Sequence, residues 1–262
     1  GINAEYGEMD NISWDDLTKP LCKYSSTNTW TDESSKFTGT INYKEGFVTG
    51  ELVVKNLGKY TGEFSNNKFQ GVGTLTYENG DQYIGSFDVG QKHGAGVLKI
   101  LKAPLKHLKS PEAKPKTPKT AKAAAKAAAK AEKEKELEAT RFDIYEGHWA
   151  HDVMEGNFNI AYASGDKFVG QYKANQKVSG LYTFKNGDEY QGGFKNEKFH
   201  GQGKYSGKEF KFEGLFENGK RVKGTECCDG LTATMQFEDE NAVGKIVLVD
   251  EKGQKSVAEL KK

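Results

Sequence analysis

The sequence has few cysteines and lacks long apolar runs. Its three cysteines, Cys22, Cys227 and Cys228, offer no set of pairs, and a disulfide between the two adjacent ones would be strained. A reducing compartment is therefore favoured. No apolar run is long enough to span a membrane, and the segment 1–20 lacks the apolar centre of a signal peptide. We therefore expect no transmembrane helix, although the chain begins at Gly1 rather than Met, which leaves room for a targeting segment ahead of it.

Motifs for catalysis and nucleotide binding are also missing. Neither GxGxxG nor GxxxxGK[ST] occurs, and "GQGKYSGKE" at 201–209 has the wrong spacing for a phosphate loop. No Ser/His/Asp or Cys/His arrangement can be singled out, so we predict no catalytic residues, no cofactor and no enzymatic activity. Only 35% of the residues are hydrophobic, whereas 31 are glycine and 27 are Phe or Tyr. This balance suits a thin sheet of turns and aromatic strands better than a thick layered core.

An aromatic-x-Gly tripeptide recurs along the chain, and its copies carry a large apolar residue four positions after each start. The starts are evenly spaced except for one long interval, between Tyr83 and Tyr145. In three copies a Gly-x-Gly follows at a constant offset, as Gly94 and Gly96 follow Tyr83. The seven starts are Phe37, Tyr60, Tyr83, Tyr145, Phe168, Tyr190 and Phe212, and the residues four positions later are Ile41, Phe64, Phe87, Trp149, Tyr172, Phe194 and Phe216.

Each copy has the pattern of a hairpin. In "GTLTYENGDQYIGSF" an Asn-Gly-Asp turn separates two alternating runs, which place aromatic residues and glycine on one face. A single hairpin is marginally stable in water, so we expect stacked hairpins that share the aromatic face. The predicted fold class is all-β, an elongated single-layer twisted antiparallel sheet of stacked hairpins with one exposed inserted α-helix.

The motifs "YTGEFSNNKFQGVGTLTYENGD", "YIGSFDVGQKHGAG" and "YQGGFKNEKFHGQG" resemble MORN repeats. The resemblance covers 37–224 apart from one insertion, and the first, fifth and seventh units are degenerate. It implies a structural scaffold, since similar proteins built only of MORN repeats are commonly cytoskeletal or ciliary assembly components. It also leaves open a membrane-apposing module, because the family name records a proposed link to membranes, and the targeting portion of a larger enzyme, because MORN arrays also precede kinase or methyltransferase domains.

The long interval between Tyr83 and Tyr145 indicates an insertion at 102–140. Its flanks, "VLKIL" and "RFDIYEGHW", still resemble the two strands of one hairpin, although a linker between two domains is the alternative. Within it, a Pro-rich loop precedes a helix predicted at about 120–139, where Ala, Lys and Glu predominate. Residues 1–36 are predicted to be a polar arm, 37–224 the repeat array, and 225–262 a C-terminal β cap.

Charge is concentrated in the insertion. The whole chain has a net charge of +1, but residues 101–141 contain 12 Lys or Arg and 5 Glu, a net of +7. Lys122, Lys126 and Lys130 recur at helical spacing and are the predicted contact for an acidic protein surface or anionic lipid. No aromatic residues are interleaved with these charges, which argues against nucleic-acid binding.

Two kinds of candidate residue remain. We predict no metal site, because His148 and His151 beside Trp149 have no further obvious ligand, and His93 and His200 occupy a turn position of the repeat.

The predicted function is a protein-binding scaffold of a cytoplasmic cytoskeletal or ciliary assembly. Its predicted partner-binding groove consists of Tyr60, Phe64, Tyr83, Phe87, Tyr145, Trp149, Phe168, Tyr172, Tyr190 and Phe194.

Overall fold

The computed structural model describes residues 27–31, 35–42, 47–66, 68–102, 141–238 and 241–260. These residues form an all-β fold in two compact units, 1–153 and 154–262. Within each unit, strands pair antiparallel in chain order, so the predicted fold class is confirmed. The described residues contain no helix that could span a membrane. The helix predicted at about 120–139 lies outside them.

The first unit contains strands β1 to β8, and the second contains β9 to β18, with β9 beginning at the boundary. The strands of the first unit are β1 (Thr27–Thr31), β2 (Ser35–Asn42), β3 (Phe47–Val54), β4 (Gly58–Ser65), β5 (Lys68–Tyr77), β6 (Gln82–Asp88), β7 (Gln91–Leu101) and β8 (Phe142–Ala150). Those of the second are β9 (Val153–Ala161), β10 (Lys167–Lys173), β11 (Gln176–Thr183), β12 (Glu189–Lys195), β13 (Lys198–Ser206), β14 (Lys211–Glu217), β15 (Lys220–Cys228), β16 (Leu231–Glu238), β17 (Asn241–Val249) and β18 (Lys255–Leu260).

Two kinds of turn connect the strands. Two-residue turns such as Ala174-Asn175 have both residues at positive φ, 49° and 63°, the type I′ geometry whose twist matches that of paired strands. The predicted Asn-Gly-Asp turn is the other kind. There the Asp81 N–H donates to the Asn79 side-chain oxygen at 2.9 Å, and Gly80 adopts a φ of 92°. The turn residues therefore fix the hairpin register locally.

A row of glycines crosses each unit, one glycine on each successive strand over most of its width. Each glycine is the register partner of the next, and the aromatic rings of the repeats lie over this bare backbone. A methyl group added at Gly96, for example, would overlap the Tyr83 ring and hydroxyl. The row contains Gly39, Gly50, Gly62, Gly73, Gly85, Gly96 and Gly147 in the first unit, and Gly170, Gly180, Gly192, Gly203, Gly214 and Gly224 in the second.

The strands on either side of the insertion pair with each other. β7 and β8 are antiparallel, and their last paired residues before the insertion are Leu101 and Phe142. At this end the Lys102 ammonium forms a 3.0 Å ion pair with Asp143, whose side chain is largely buried. The insertion therefore leaves from the end of a formed hairpin, as the flanking sequences predicted.

Both ends of the array contain paired strands. β1 pairs with β2, and its residues belong to the predicted arm. β16, β17 and β18 follow the last repeat in antiparallel order, within the predicted β cap. The exact domain bounds and the capping role of these strands stay predictions.

The glycine row yields a stability prediction. We expect Gly96→Ala to lower the free energy of unfolding by about 1–3 kcal/mol, because the added methyl forces the Tyr83 ring off the backbone. The measurement is urea denaturation followed by tyrosine and tryptophan fluorescence. Ala95→Ser, at the exposed neighbouring residue, is the control and should change the free energy by less than about 0.5 kcal/mol. Equal midpoints for Gly96→Ala and wild type would contradict a steric role for the row.

Candidate functional site

The ten residues of the predicted groove are all buried. Their exposed fractions lie between 0% and 8%, because the rings pack edge to face along the glycine row. Tyr60, for example, contacts Phe64 at 5.0 Å and Phe87 at 5.2 Å between ring centroids, both T-shaped. In this structure the ten side chains therefore form the core of their units, and partner contact through them stays a prediction. They are Tyr60, Phe64, Tyr83, Phe87, Tyr145, Trp149, Phe168, Tyr172, Tyr190 and Phe194.

The buried repeat tyrosines keep their hydroxyls satisfied. In three units the hydroxyl donates to the backbone carbonyl three residues later, across the glycine between them. Burial raises the pKa of all three phenols, to about 12 for Tyr190, so they remain neutral hydrogen-bond donors. The pairs are Tyr60 with Glu63 at 2.9 Å, Tyr83 with Ser86 at 3.0 Å and Tyr190 with Gly193 at 3.0 Å.

A second repeat position completes the packing, nine positions after the first aromatic of the unit. In two units it holds a phenylalanine stacked on the tyrosine. Phe69 lies on Tyr60 with centroids 3.8 Å apart and an interplanar angle of 11°, and Phe199 lies on Tyr190 at 3.7 Å and 12°. This position was not predicted from the sequence, although its constant offset is visible there.

In three other units a cation occupies that position. Lys92 lies over Tyr83, Lys177 over Phe168 and Arg221 over Phe212. Lys177 is only 6% exposed and forms a 2.6 Å ion pair with Glu197. Burial of an ammonium group is tolerated here because ring faces and a carboxylate surround it. Four rings lie within reach of its nitrogen: Tyr162 and Phe168 at 5.2 Å, Tyr182 at 5.7 Å and Phe194 at 6.0 Å.

The second unit also has aromatic residues that are only half-buried. We call Tyr162, Tyr182, Phe184, Tyr205 and Phe210 the aromatic row. Successive ring centroids are 6.0, 4.9, 6.4 and 5.1 Å apart, so the rings form a continuous surface. The partial exposure of these rings was not predicted from the sequence.

Carboxylates of the turns border the aromatic row. Tyr182 donates to Asp166 at 2.8 Å, and Tyr205 donates to Asp188 at 2.6 Å. Burial and then this hydrogen bond raise the pKa of Tyr205 to about 12. Burial raises the pKa of Asp166, but hydrogen bonds from the Lys185 backbone N–H and from Tyr182 outweigh it and lower the pKa overall. The Tyr205 hydrogen bond likewise lowers the pKa of Asp188. The row is thus held in place by ionised turn residues.

The remaining predicted contact residues, Lys122, Lys126 and Lys130, lie outside the described residues. Their role stays a prediction.

The repeat units match a known protein family. The MORN repeat model matches residues 60–82, 83–99, 145–157, 168–189 and 190–208. The chain is a MORN-repeat protein. These matches begin at five of the seven repeat starts, and the units at Phe37 and Phe212 fall outside them. MORN repeats are typically scaffold modules that bind proteins or lipids, and the family is one of binding modules rather than enzymes. A comparison with curated proteins gives no match.

The enclosure of Lys177 by four aromatic rings predicts that substitutions of this residue destabilise the MORN-repeat protein. We expect Lys177→Ala to lower the free energy of unfolding by about 2 kcal/mol or more, because it empties a space enclosed by four rings. Lys177→Phe should lower the free energy of unfolding by less, since a phenylalanine, Phe199, already fills the same position in another repeat. Urea denaturation of both variants measures the difference. Greater loss in Lys177→Phe than in Lys177→Ala would show that the two occupants are not interchangeable.

The raised tyrosine pKa values predict alkaline sensitivity. The pKa of Tyr190 is about 12 in the folded protein and 10.0 ordinarily, so its neutral form stabilises the fold fully below pH 10. This contribution should be lost progressively between pH 10 and 12, as ionisation becomes possible only on unfolding. The measurement is the midpoint of urea denaturation as a function of pH. Tyr190→Phe should reduce the slope in this window, and an unchanged slope would contradict the assignment.

Proposed function

We propose that this chain is a non-enzymatic scaffold of a larger assembly, in which the aromatic row binds a segment of another protein. The observation that supports this most directly is the half-buried, continuous ring surface from Tyr162 to Phe210. Most first aromatic residues of the repeats are buried in the core, whereas these five side chains present part of their area to solvent. MORN repeats as a class mediate such binding.

The physical properties of the row suit protein recognition. Tyrosine and phenylalanine have two side-chain torsions, so little conformational entropy is lost when a partner covers them. Here the rings are further fixed by neighbouring rings and by the Asp166 and Asp188 hydrogen bonds. Preorganised aromatic residues are typical of the few positions that dominate binding energy. The proposed occupant is therefore a helix or extended peptide with apolar side chains.

The setting that we propose is cytoplasmic, in a cytoskeletal or ciliary assembly. The sequence supports it through its few cysteines and through the resemblance to proteins built only of MORN repeats. Partners are other proteins of that assembly. Nucleic acid is not among them, since the net excess of positive charge is confined to the insertion.

The proposal can be tested by proximity labelling with a triple variant, Y182S/F184S/Y205S, in the full chain. We expect the set of proteins labelled by wild type to fall at least about tenfold with this variant, because the row would lose three ring contacts. The matched control is V169S/V178S, which alters two exposed valines outside the row, 53% and 44% exposed. Thermal melts must show that both variants remain folded. Equal labelling by the triple variant would overturn the role of the row.

The second candidate is membrane apposition through the basic insertion. It is favoured by the net charge of +7 at 101–141, since each basic residue near an anionic surface contributes about 1 kcal/mol. Flotation with vesicles rich in phosphatidylserine separates the two candidates. Binding that disappears when residues 102–140 are deleted would support lipid, whereas the scaffold proposal expects no flotation and unchanged protein labelling.

A further inference from the structure

Three side chains with metal-binding chemistry meet in the first unit. Asp88 ends β6, His93 lies in β7, and His151 lies in the turn after β8. One ligand atom from each lies within 4.8 Å of the other two. Asp88 and His93 are half-buried and His151 is exposed, so the set has a protein side and a solvent side. In the sequence His151 was paired with His148 as a candidate, whereas in the structure the His93 ring is 4.5 Å from that of His151 and 6.4 Å from that of His148.

The turn that carries His151 is fixed beside His93. His151 and Asp152 have φ values of 49° and 68°, which direct the turn back along β7. The Lys92 N–H donates to Asp152 Oδ1 at 3.0 Å, and the Asp152 N–H donates to the Lys92 carbonyl at 2.9 Å. The His93 and His151 rings consequently lie 4.5 Å apart between centroids. These two hydrogen bonds hold the backbones of the two histidines side by side.

The carboxylate is also oriented. Gln70 Nε2 donates to Asp88 Oδ1 at 3.0 Å, and Gln70 Oε1 accepts the Val89 N–H at 3.1 Å. A metal-binding carboxylate is commonly held by such a hydrogen bond, which sets its direction and leaves its other oxygen for the ion. Gln70 is the residue of the preceding repeat that corresponds to His93, ten positions after its unit starts. The repeat geometry therefore supplies the supporting contact.

His200 provides an internal comparison, since it occupies the repeat position of His93. The Nδ1 atoms of both histidines are buried and have no hydrogen-bond partner among the described residues. The positions that correspond to Asp88 and His151 are Lys195 and Asn218 in the unit of His200 and the one after it. Lysine cannot serve as a ligand while it is charged. The ligand set is thus a feature of one place in the array and not of the repeat.

We propose that Asp88, His93 and His151 bind a divalent first-row transition-metal ion such as Zn²⁺. Two imidazoles with one carboxylate suit this class of ion rather than Ca²⁺ or Mg²⁺, which prefer oxygen ligands. Zn²⁺ at about 2.0–2.2 Å from each ligand needs the ligand atoms roughly 3.3 Å apart. The three ligand atoms lie within 4.8 Å of one another, so binding requires side-chain rotations that shorten these distances, and the exposed His151 has the most freedom to make them. The remaining coordination positions face solvent and are open to water or to a donor from a partner protein.

Bound metal links β6, β7 and the turn after β8, on either side of the insertion. Because the three ligands come together only in the folded chain, binding stabilises that state. The site is independent of the aromatic row, which belongs to the second unit.

The test is isothermal titration of the full, untagged chain with Zn²⁺. Wild type should bind one ion. Asp88→Asn, His93→Ala and His151→Ala should each lower the affinity for Zn²⁺ by at least about tenfold. Loss of a residue that only supports a ligand already costs about that much, and loss of the ligand itself should cost more. His200→Ala is the matched control and should bind as wild type does. Circular dichroism and metal-free melts check that every variant is folded.

A second measurement reports coordination directly. Co²⁺ in place of Zn²⁺ should give a visible absorption band with wild type and His200→Ala that is lost with His93→Ala. Equal Zn²⁺ affinity in wild type and all three ligand variants would overturn the proposal. So would a loss with His200→Ala as large as with His93→Ala.

Discussion

Aromatic rings in this protein lie on bare backbone, and that contact is possible only where the strand beneath carries glycine. The requirement recurs from strand to strand, which produces the glycine row from Gly39 to Gly147 and again from Gly170 to Gly224. A single layer of sheet has no second layer to cover its rings. The rings therefore lie close to the backbone and cover one another, and the buried tyrosine hydroxyls find carbonyl acceptors within their own strand.

In five repeats this arrangement leaves a space over the first aromatic residue that a flat or charged side chain fills. Phe69 and Phe199 fill it by stacking, whereas Lys92, Lys177 and Arg221 fill it with a cation over the ring face. Both solutions use the negative potential or the apolar area of the same ring. The repeats can thus differ in charge without differing in backbone, so individual units are free to acquire separate binding properties.

The two units also differ in the side chains that they present at the surface. In the second unit the aromatic row continues beyond the buried rings and is anchored by Asp166 and Asp188. In the first unit a turn from the next repeat brings His151 to His93. A protein partner on the row and a metal ion at the histidines would occupy separate parts of the chain. A scaffold with separate sites of this kind can hold several components without any catalytic chemistry.

Much of the fold could be predicted because its determinants are local. The regular repeat period, the Asn-Gly-Asp turns and the aromatic-Gly-aromatic alternation determine the hairpins, their register and the all-β class. Burial of individual rings was decided by the tertiary structure, since Tyr190 and Tyr205 both precede an x-Gly pair, yet Tyr190 is fully buried beneath Phe199 and Tyr205 is half-buried. The meeting of Asp88, His93 and His151 was also decided there, because the insertion separates His151 from the other two in the chain and only the pairing of β7 with β8 brings it back to them.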